Sequence, residues 1–486
     1  MDAFVIHGGR PLRGRARVPG SKNATLPLMA AALLTDEPVT LRDVPDLADV
    51  RNMMKLLRAL GCIADRNEQR AVHLHVTDTN QSLAHYDIVR TMRAGICVLG
   101  PLLARRGEGR VSMPGGCAIG DRPVDLHLRG LRALGAEIEL DAGYITATVP
   151  GKRLRGAHVF LGGPNGSTVL GTANVLSAAA LAEGTTVIEC AACEPEIEAL
   201  AQMLNGMGAC IRGAGSPRIT IQGVDRLAGI EHTVIPDRIW AGTYALAAAI
   251  TNGEVYLDNF PTDALTALID RLHEVGVRVV PVGEGQGTMP SGGADGNGSM
   301  PCGSAAAPPS HAVPITTPAA AAFTKDRARA VAATEAALPC AATETVRIES
   351  PRLLQPVQVV TQPHPGFPTD LQAQMMALLC LADGNSIVTE KIFPDRFLHV
   401  AEMARMGANL VRSGPTVLVA GVRELIGAPV MASDLRASAG LVLAGLAARG
   451  ETTINRVYHL DRGYEKMEQS LQQLGAAIER VNREAV

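Results

Sequence analysis

The chain has 486 residues, of which 47% are hydrophobic and 19% charged, so it can bury more than one sizeable core. The formal net charge of −3, the lack of a basic stripe and the 3% of aromatic residues argue against a nucleic-acid-binding protein. Neither a secretory signal nor an uncharged apolar run of membrane-spanning length stands in the sequence, so we expect a cytoplasmic protein with its nine cysteines reduced.

A pattern of secondary-structure elements recurs six times along the chain. Each copy reads as a short strand, a turn with Pro or Asp, an amphipathic helix, a glycine and a further short strand. The closing glycines are Gly61, Gly135, Gly208, Gly276, Gly407 and Gly475. The intervals between them are 74, 73, 68, 131 and 68 residues, so one interval is nearly twice the others.

Residues 283–342 account for the long interval. These 60 residues consist mainly of Gly, Ala, Pro, Ser and Thr, and removing them leaves an interval of 71. Such a segment has too few large apolar side chains to offset its ordering entropy. We therefore predict a disordered or loosely held low-complexity insert without a catalytic role, in which residues 326–337 could form a short Ala-rich helix.

A second kind of helix precedes each copy. It is rich in small residues and apolar nearly all round, as in residues 22–34 (KNATLPLMAAALL) and 435–448 (LRASAGLVLAGLAA), which predicts a buried helix. The outer helices instead carry one apolar stripe, such as Val50, Met53 and Leu57. Six such units predict an α/β protein of two domains with three units each.

One loop combines a cysteine with features of an anion site. Cys117 follows two glycines and precedes Arg122 and Pro123, and Pro123 suits the first position of a helix. A helix start favours both an anion and a thiolate, and the Arg122 guanidinium suits phosphate or carboxylate. Cys117 is therefore either a reactive thiol beside an anion site or an ordinary loop cysteine.

Polar residues also interrupt the small-residue helices near their N-terminal ends. Lys22 at a helix start opposes the helix dipole, so it either needs an anion beside it or lies in solvent. Arg93 is predicted inside an apolar helix, where it either snorkels or binds an anion. Asp370 could be an N-cap or a functional carboxylate, and Asp434 takes the matching place in the sixth unit. With Arg396, Arg436 and Arg462, these residues would form a basic cleft with two carboxylates.

The spacing of cysteines and histidines gives little support for a metal or redox site. Cys190 and Cys193 have the C-x-x-C spacing of redox or zinc sites, but a second pair and nearby histidines are missing. We interpret them as structural cysteines in a strand-to-helix turn. The histidines have no metal-ligand spacing, and neither a P-loop nor a dinucleotide fingerprint occurs, so we expect no metal and no cofactor.

Several long motifs, in the same order, resemble the UDP-N-acetylglucosamine 1-carboxyvinyltransferases. They are GSKNATLPLMAAALL, MRAGICVLGPLLARRGEGRVSMPGGCAIGDRPVDLHLRGL, PHPGFPTDLQAQ, FPDRFLHVAEMARMGA and DLRASAGLVLAGLAARGETTINRVYHLDRGYEKM. The resemblance implies two similar domains, each an inside-out α/β barrel of three βαβαββ units. The implied first domain is 24–234, and the second is 1–23 with 235–486, interrupted by the insert.

The resemblance also implies an activity, an addition–elimination reaction in peptidoglycan synthesis. The enolpyruvyl group of phosphoenolpyruvate would pass to the 3′-hydroxyl of UDP-N-acetylglucosamine, with release of phosphate, as the first committed step of the pathway. Such an enzyme supports cell-wall biogenesis, cell shape and cell division, and is a fosfomycin target. Its expected partners are these two small molecules, with neither nucleic acid nor membrane, and it would be a monomer or weak homo-oligomer.

The family's site residues map onto this sequence. Cys117 would be the loop acid that forms a phosphoenolpyruvate adduct, and Asp370 the base that contacts the accepting hydroxyl. Lys22, Arg122 and Arg462 would form the phosphate clamp, with Asn23 at the reacting centre. Arg396, Asp434 and Arg436 would support the cleft. The implied nucleotide-sugar contacts are Arg93, Arg122, Pro123, Val124, Asp125, Leu126, Thr168 and Ile392.

One stretch departs from the family pattern. The family has a Lys- or Arg-containing segment ending in Ser-Val-Gly before the third core helix, whereas Leu170 here takes the place of that glycine and no cation is present. We hypothesise that Ser167 or Thr168 supplies the diphosphate contact. The altered segment keeps open a nucleotide-sugar-binding paralogue with a regulatory role. A shikimate-pathway enolpyruvyl transferase is a third alternative, disfavoured by the cysteine loop.

Overall fold

The computed structural model describes residues 2–114, 124–282, 343–351 and 353–482. Cys117, Arg122, Pro123 and the insert at 283–342, with its suggested helix at 326–337, lie outside the described residues. The described chain alternates short strands and helices along its whole length.

The strands are two to seven residues long. They are β1 (Asp2–His7), β2 (Arg13–Arg17), β3 (Val39–Arg42), β4 (Cys62–Arg66), β5 (Val72–Val76), β6 (Leu83–Ala84), β7 (Glu108–Ser112), β8 (Glu137–Asp141), β9 (Tyr144–Thr148), β10 (His158–Phe160), β11 (Thr185–Glu189), β12 (Cys210–Arg212), β13 (Arg218–Gln222), β14 (Ile230–Thr233), β15 (Glu254–Phe260), β16 (Arg278–Pro281), β17 (Glu344–Glu349), β18 (Gln358–Val360), β19 (Asn385–Thr389), β20 (Asn409–Ser413), β21 (Thr416–Ala420), β22 (Pro429–Met431), β23 (Glu451–Asn455) and β24 (Ala477–Asn482).

Two kinds of α-helix alternate between these strands. The helices are α1 (Lys22–Ala31), α2 (Ala48–Ala59), α3 (Tyr86–Val89), α4 (Leu99–Arg106), α5 (Asp125–Ala133), α6 (Val169–Ala179), α7 (Pro195–Gly206), α8 (Arg238–Ile250), α9 (Thr266–Val275), α10 (Gln372–Leu379), α11 (Leu398–Arg405), α12 (Leu435–Ala447) and α13 (Met467–Gln473). Short 3₁₀ helices span Ala32–Leu34, Arg93–Val98, Pro150–Lys152, Asp263–Leu265, Thr369–Leu371 and Val457–Arg462.

Within the described residues the strands form six four-stranded sheets. In the sheet β10-β11-β13-β12, the parallel strands β10 and β11 flank the core helix α6, and α7 leads to the hairpin β12–β13. This is one βαβαββ unit, and the same order recurs in the sheets β6-β7-β9-β8 and β18-β19-β21-β20. The predicted sixfold α/β repeat is therefore confirmed.

Each of the remaining three sheets contains one strand from a distant part of the chain. Strand β14 pairs with β3 and completes the first unit from residues 230–233. Strand β2 lies parallel to β15, and β1 inserts between β23 and β24. Both N-terminal strands thus join sheets whose other strands lie beyond residue 250.

The buried apolar side chains divide into two hydrophobic cores. One contains residues between Ala24 and Val234, and the other combines residues from Phe4 to Val18 with residues from Ile239 to Ile478. The domain boundary after residue 234 stays a prediction, and this partition of the cores supports it. In α8, every residue from Arg238 to Ile250 is buried, as expected for a helix at the centre of a core.

The six closing glycines all end an outer helix in the left-handed backbone region. Their φ angles lie between 80° and 103°, where a side chain with a Cβ is disfavoured. This geometry returns the chain sharply from each outer helix to the next strand, which explains why glycine recurs at the repeat period.

One predicted helix was wrong. Arg93 does not lie inside a continuous α-helix but begins the 3₁₀ segment Arg93–Val98, which leads into α4. The chain leaves helical geometry at Met92, whose φ and ψ angles of −148° and 111° are extended, directly before Arg93. Helix α5 begins at Asp125, and the predicted first helical position of Pro123 lies outside the described residues.

We expect Gly407→Ala to destabilise the protein by about 1 kcal/mol, because alanine pays the left-handed backbone cost. A Cβ at this position meets no atom within 4 Å, so the expected loss comes from the backbone alone. Gly407→Asn should lose less, since asparagine tolerates this region. Thermal unfolding of the three proteins measures the difference, and an alanine variant as stable as the wild type would contradict this account.

Candidate active site

Lys22, Asp49 and Arg462 form one charged cluster. Lys22 begins α1, and its Nζ lies 3.0 Å from Asp49 Oδ2. Arg462 Nε lies 3.0 Å from Asp49 Oδ1 and ends the 3₁₀ segment Val457–Arg462. The Lys22 side chain is only 12% exposed, so its interpretation as a solvated surface lysine was wrong. The anion expected beside Lys22 is Asp49.

The Asp49 carboxylate is held ionised by its two cations. Burial by itself would raise its pKa, but the charges of Lys22 and Arg462 and their hydrogen bonds bring the pKa below the ordinary value of 3.8. Two cations against one carboxylate leave the cluster with one net positive charge. The cluster therefore remains attractive to a further anion.

Asp370 lies between two arginines on neighbouring elements. Arg396 Nη1 donates to its Oδ1 at 2.9 Å, and Arg436 Nη2 donates to its Oδ2 at 3.0 Å. Asp370 occupies the 3₁₀ turn before α10 and does not cap that helix, whose N-cap is Leu371. Its side chain stays 24% exposed while those of both arginines are almost fully buried. The two buried guanidiniums thus fix the carboxylate, which remains partly exposed.

Asp434, by contrast, acts as an N-cap. Its Oδ1 accepts hydrogen bonds from the backbone N–H groups of Arg436 and Ala437 at 2.9 and 3.1 Å. This cap fixes the first turn of α12, from which Arg436 projects toward Asp370. Two aspartates in matching places of the repeat therefore have different surroundings.

A buried polar network lies next to the Asp370–Arg436 pair. The Tyr464 hydroxyl lies 3.2 Å from Arg436 Nη1, 2.9 Å from Thr243 Oγ1 and 3.3 Å from Gln374 Nε2. Gln374 Nε2 also donates to the backbone oxygen of Asp370 at 3.0 Å. Burial by itself would lower the pKa of Arg436, but Asp370 and Tyr464 raise it, so the guanidinium remains charged.

Asp237 connects the Lys22–Asp49–Arg462 cluster with the Asp370–Arg436 pair. It caps α8 through the N–H groups of Ile239 and Trp240, and its Oδ2 accepts the backbone N–H of Lys22 at 3.0 Å. Its charge also contributes to the raised pKa of Arg436, after the opposing effect of burial and the effect of Asp370. The N-terminal ends of α1, α8 and α12 therefore meet around one polar region.

A cleft of about 600 Å³ lies between residues 164–166 on one side and two segments, 361–363 and 390–394, on the other. Ile392, an expected nucleotide-sugar contact, lines it. Leu126 adjoins the same region, because its Cδ1 lies 3.1 Å from where a Cβ would stand on Gly163. Val124 is buried before α5, while Asp125 is exposed. Of the expected nucleotide-sugar contacts, Ile392 thus lines the cleft and Leu126 lies next to Gly163 beside it.

Thr168 lies at the start of α6, close to this cleft in sequence. Its Oγ1 accepts the N–H of Gly171 at 3.2 Å, so Thr168 is the N-cap of α6. A capping hydroxyl still has its own hydrogen to donate. The hypothesis that Thr168 contacts a diphosphate is therefore compatible with its position.

Arg93 and Asn23 occupy half-buried positions at helix starts. Asn23 is the second residue of α1. Arg93 begins its 3₁₀ segment near His127, whose pKa falls to about 3 through burial and, secondarily, the charge of Arg93. Asn174 Nδ2 contacts His127 Nδ1 at 3.2 Å and donates to Ile96 O at 3.0 Å, which anchors the Arg93 segment on the buried helix α6.

Sequence reasoning missed several residues of this site. Asp49, Tyr464 and Gln374 were not predicted, although Asp49 adjoins the apolar stripe of α2, and a charge beside such a stripe is a usable signal. Two further residues, Arg456 and Lys466, flank the 3₁₀ segment that ends at Arg462. Their backbone φ angles are positive, 62° and 45° respectively. Nothing in the local sequence distinguishes those two positions.

The described ranges contain free thiols but no metal-binding cluster. Within them, no group of three or more His, Cys, Asp or Glu side chains could hold a metal ion. Cys190 and Cys193 are free thiols in the turn between β11 and α7, where the repeat predicts them. No helix among the described residues has the length and apolar character needed to cross a membrane.

Comparisons with known proteins are consistent with this geometry. Residues 6–471 match the EPSP synthase (3-phosphoshikimate 1-carboxyvinyltransferase) family. Among curated relatives, UDP-N-acetylglucosamine 1-carboxyvinyltransferases from Anaeromyxobacter sp. (strain Fw109-5) and Myxococcus xanthus (strain DK1622) are 48% and 45% identical, each alignment covering 99% of both chains. The same-named protein of Coxiella burnetii (strain Dugway 5J108-111) is 46% identical over 99% of this chain and 96% of its own.

Solved structures show the same fold. The enolpyruvyl transferase NikO from Streptomyces tendae has a TM-score of 0.78 at 22% identity, covering 99% of both chains. EPSP synthase from Acinetobacter baumannii has a TM-score of 0.70 at 17% identity, covering 99% of this chain and 100% of its own. At these identities the likeness concerns the fold alone, an arrangement of two similar α/β halves.

The Lys22–Asp49–Arg462 cluster predicts a pH-dependent stability. Asp49→Asn should destabilise the protein by about 2 kcal/mol at pH 7, because two cations lose their carboxylate. The lowered pKa of Asp49 means that its contribution is present above the ordinary pKa of 3.8 and is lost as the pH falls through the folded-state value. Melting temperatures of wild type and variant should therefore converge as the pH falls below 3.8.

The control is Asp87→Asn, which removes an exposed carboxylate 3.6 Å from Arg90 and should leave the melting temperature unchanged. A wild-type stability for Asp49→Asn at pH 7 would contradict the account.

Proposed function

Because the chain belongs to the UDP-N-acetylglucosamine 1-carboxyvinyltransferases, within the EPSP synthase family, we propose that it makes the first committed intermediate of peptidoglycan synthesis. It transfers the enolpyruvyl group of phosphoenolpyruvate to the 3′-hydroxyl of UDP-N-acetylglucosamine and releases phosphate. The observation that carries this function is the 45–48% identity to curated relatives of that name over 99% of the chain.

The reaction proceeds by addition and elimination. A proton is added to the methylene carbon of phosphoenolpyruvate while the sugar hydroxyl oxygen bonds to the adjacent carbon, and the hydroxyl gives up its proton. A proton then leaves the former methylene carbon as the C–O bond to the phosphate breaks, which yields the enolpyruvyl ether and free phosphate. The protein must therefore supply an acid, a base and a cationic clamp for the leaving phosphate.

Lys22 and Arg462 suit the clamp. Asp49 holds the two side chains in place, and the cluster keeps one net positive charge for the substrate phosphate. Arg122 would add a third cation from the loop outside the described residues. Asn23 follows Lys22 at the start of α1 and orients the reacting groups.

Asp370 suits the contact to the accepting hydroxyl. Arg396 and Arg436 each donate to one oxygen of the carboxylate, which fixes its orientation toward a substrate hydroxyl. The exposed face of Asp370 leaves room for the substrate. Arg396, Arg436 and Asp434 act through this placement, because they hold the carboxylate and the first turn of α12.

Cys117 acts as the acid and forms the phosphoenolpyruvate adduct, and the enzyme closes over both substrates. Closure excludes water and strengthens each ionic contact. Arg93, Val124, Asp125, Leu126, Thr168 and Ile392 contact the nucleotide sugar, together with Arg122 and Pro123.

The enzyme works in the cytoplasm as a monomer or weak homo-oligomer, and supports cell-wall growth, cell shape and division.

The shikimate-pathway reaction is the second candidate function, because the matching family is described as EPSP synthase (3-phosphoshikimate 1-carboxyvinyltransferase). A binding test with shikimate 3-phosphate separates the two. A regulatory paralogue would bind the nucleotide sugar without turnover.

Phosphate release from phosphoenolpyruvate tests the proposal. Release should require UDP-N-acetylglucosamine, and Cys117→Ala or Asp370→Asn should slow it by about 10²-fold or more, because an acid or base is lost. Cys210→Ala, which changes an exposed cysteine far from these residues in sequence, is the matched control and should keep wild-type turnover. A folded wild type that releases no phosphate would refute the function and favour the regulatory paralogue.

Fosfomycin should alkylate Cys117, because an activated thiolate opens its epoxide. Mass spectrometry of protein incubated with fosfomycin and UDP-N-acetylglucosamine should locate one adduct on the peptide containing Cys117 and none on Cys210. An unmodified Cys117 after prolonged exposure would count against its role as a reactive thiol.

A further inference from the structure

One cation lines the cleft beside residues 164–171, the segment that departs from the family pattern. The lining residues of that cleft include Pro164, Asn165 and Gly166 on one side and Lys391 and Ile392 on the other. Among the described lining residues, Lys391 is the only cation. The segment opposite it, residues 164–171, contains no cation of its own.

Lys391 stands on a turn whose backbone is firmly held. The buried Glu390 carboxylate accepts hydrogen bonds from the Thr361 and Thr369 hydroxyls at 2.7 and 2.9 Å, and from the N–H groups of Ile392 and Phe393 at 2.8 and 3.0 Å. The N–H of Lys391 itself donates to Thr361 Oγ1 at 2.9 Å. The turn therefore has little freedom, and its one long exposed side chain is that of Lys391.

The Lys391 ammonium is available for a ligand. Over the described residues, no carboxylate lies within 4.0 Å of its Nζ, whereas most cations of the candidate site are paired. The nearest acid in sequence, Glu390, directs its oxygens to the four donors named above. An exposed ammonium on a fixed turn, facing a cleft, suits an anionic group.

We propose that Lys391 is the cation for the diphosphate of the nucleotide sugar, in place of a cation on the 164–171 segment. The assignment rests on the proposed function, which puts a uridine diphosphate in this cleft. Ile392, the next residue, is an expected sugar contact and lines the same wall. The first-turn N–H groups of α6 and the Thr168 hydroxyl complete the diphosphate site from the opposite side.

Binding of UDP and of uridine, measured by calorimetry, tests the assignment without turnover. Lys391→Gln removes the charge and keeps most of the side-chain length. It should weaken UDP binding about tenfold, because one charge-assisted contact is lost, and leave uridine binding unchanged. Lys391→Arg should restore most of the UDP affinity. The salt dependence of UDP binding should be smaller for Lys391→Gln than for wild type.

Steady-state kinetics provide a second test of the role of Lys391. Lys391→Gln should raise the KM for UDP-N-acetylglucosamine about tenfold and leave the KM for phosphoenolpyruvate unchanged. Lys55→Gln is the matched control, because Lys55 is an exposed lysine on α2 and does not line the cleft.

The outcomes separate the two proposals. Wild-type UDP affinity in Lys391→Gln, or an equal loss of UDP and uridine binding, would overturn the role of Lys391. A wild type that binds UDP through Lys391 but transfers no enolpyruvyl group would refute the proposed function and leave this assignment standing.

Discussion

The burial of six small-residue helices is the constraint on which the structure depends. A helix such as α8, which is buried along its whole length, has no side on which a charged residue can meet water. Charged side chains are therefore confined to the helix ends. Lys22, Arg238 and Arg436 all occupy the first two residues of core helices, and the candidate site assembles where these ends meet.

This arrangement has an electrostatic cost, because the N-terminal end of a helix is the positive end of its dipole. Each buried cation at these ends has an acid close by. Lys22 pairs with Asp49, Arg436 with Asp370, and Arg238 forms a bidentate pair with Glu196 at 3.0 and 3.2 Å. Such pairs leave side chains already oriented before a substrate arrives, which lowers the reorganisation that catalysis requires.

The sequence was sufficient for the architecture and for the regions of the site. The sixfold repeat, the buried helices and the glycine period are local patterns, and each corresponds to one strand, helix or turn. Pairings between distant residues have no such pattern. The contact of Asp49 with Arg462 joins residues 413 positions apart, and that of Tyr464 with Gln374 joins residues 90 apart. The extended backbone of Met92, which separates Arg93 from α3, was not predicted from the local sequence either.

The exchange of the N-terminal strands has a consequence for the order of folding during synthesis. Every strand of the three sheets around the first core has been made once residue 233 leaves the ribosome. Strand β2 must wait for β15 at residues 254–260, and β1 waits for β23 and β24, which end at residue 482. The first core can therefore close early, while the residues at the start of the chain remain without their sheet partners until translation is nearly finished.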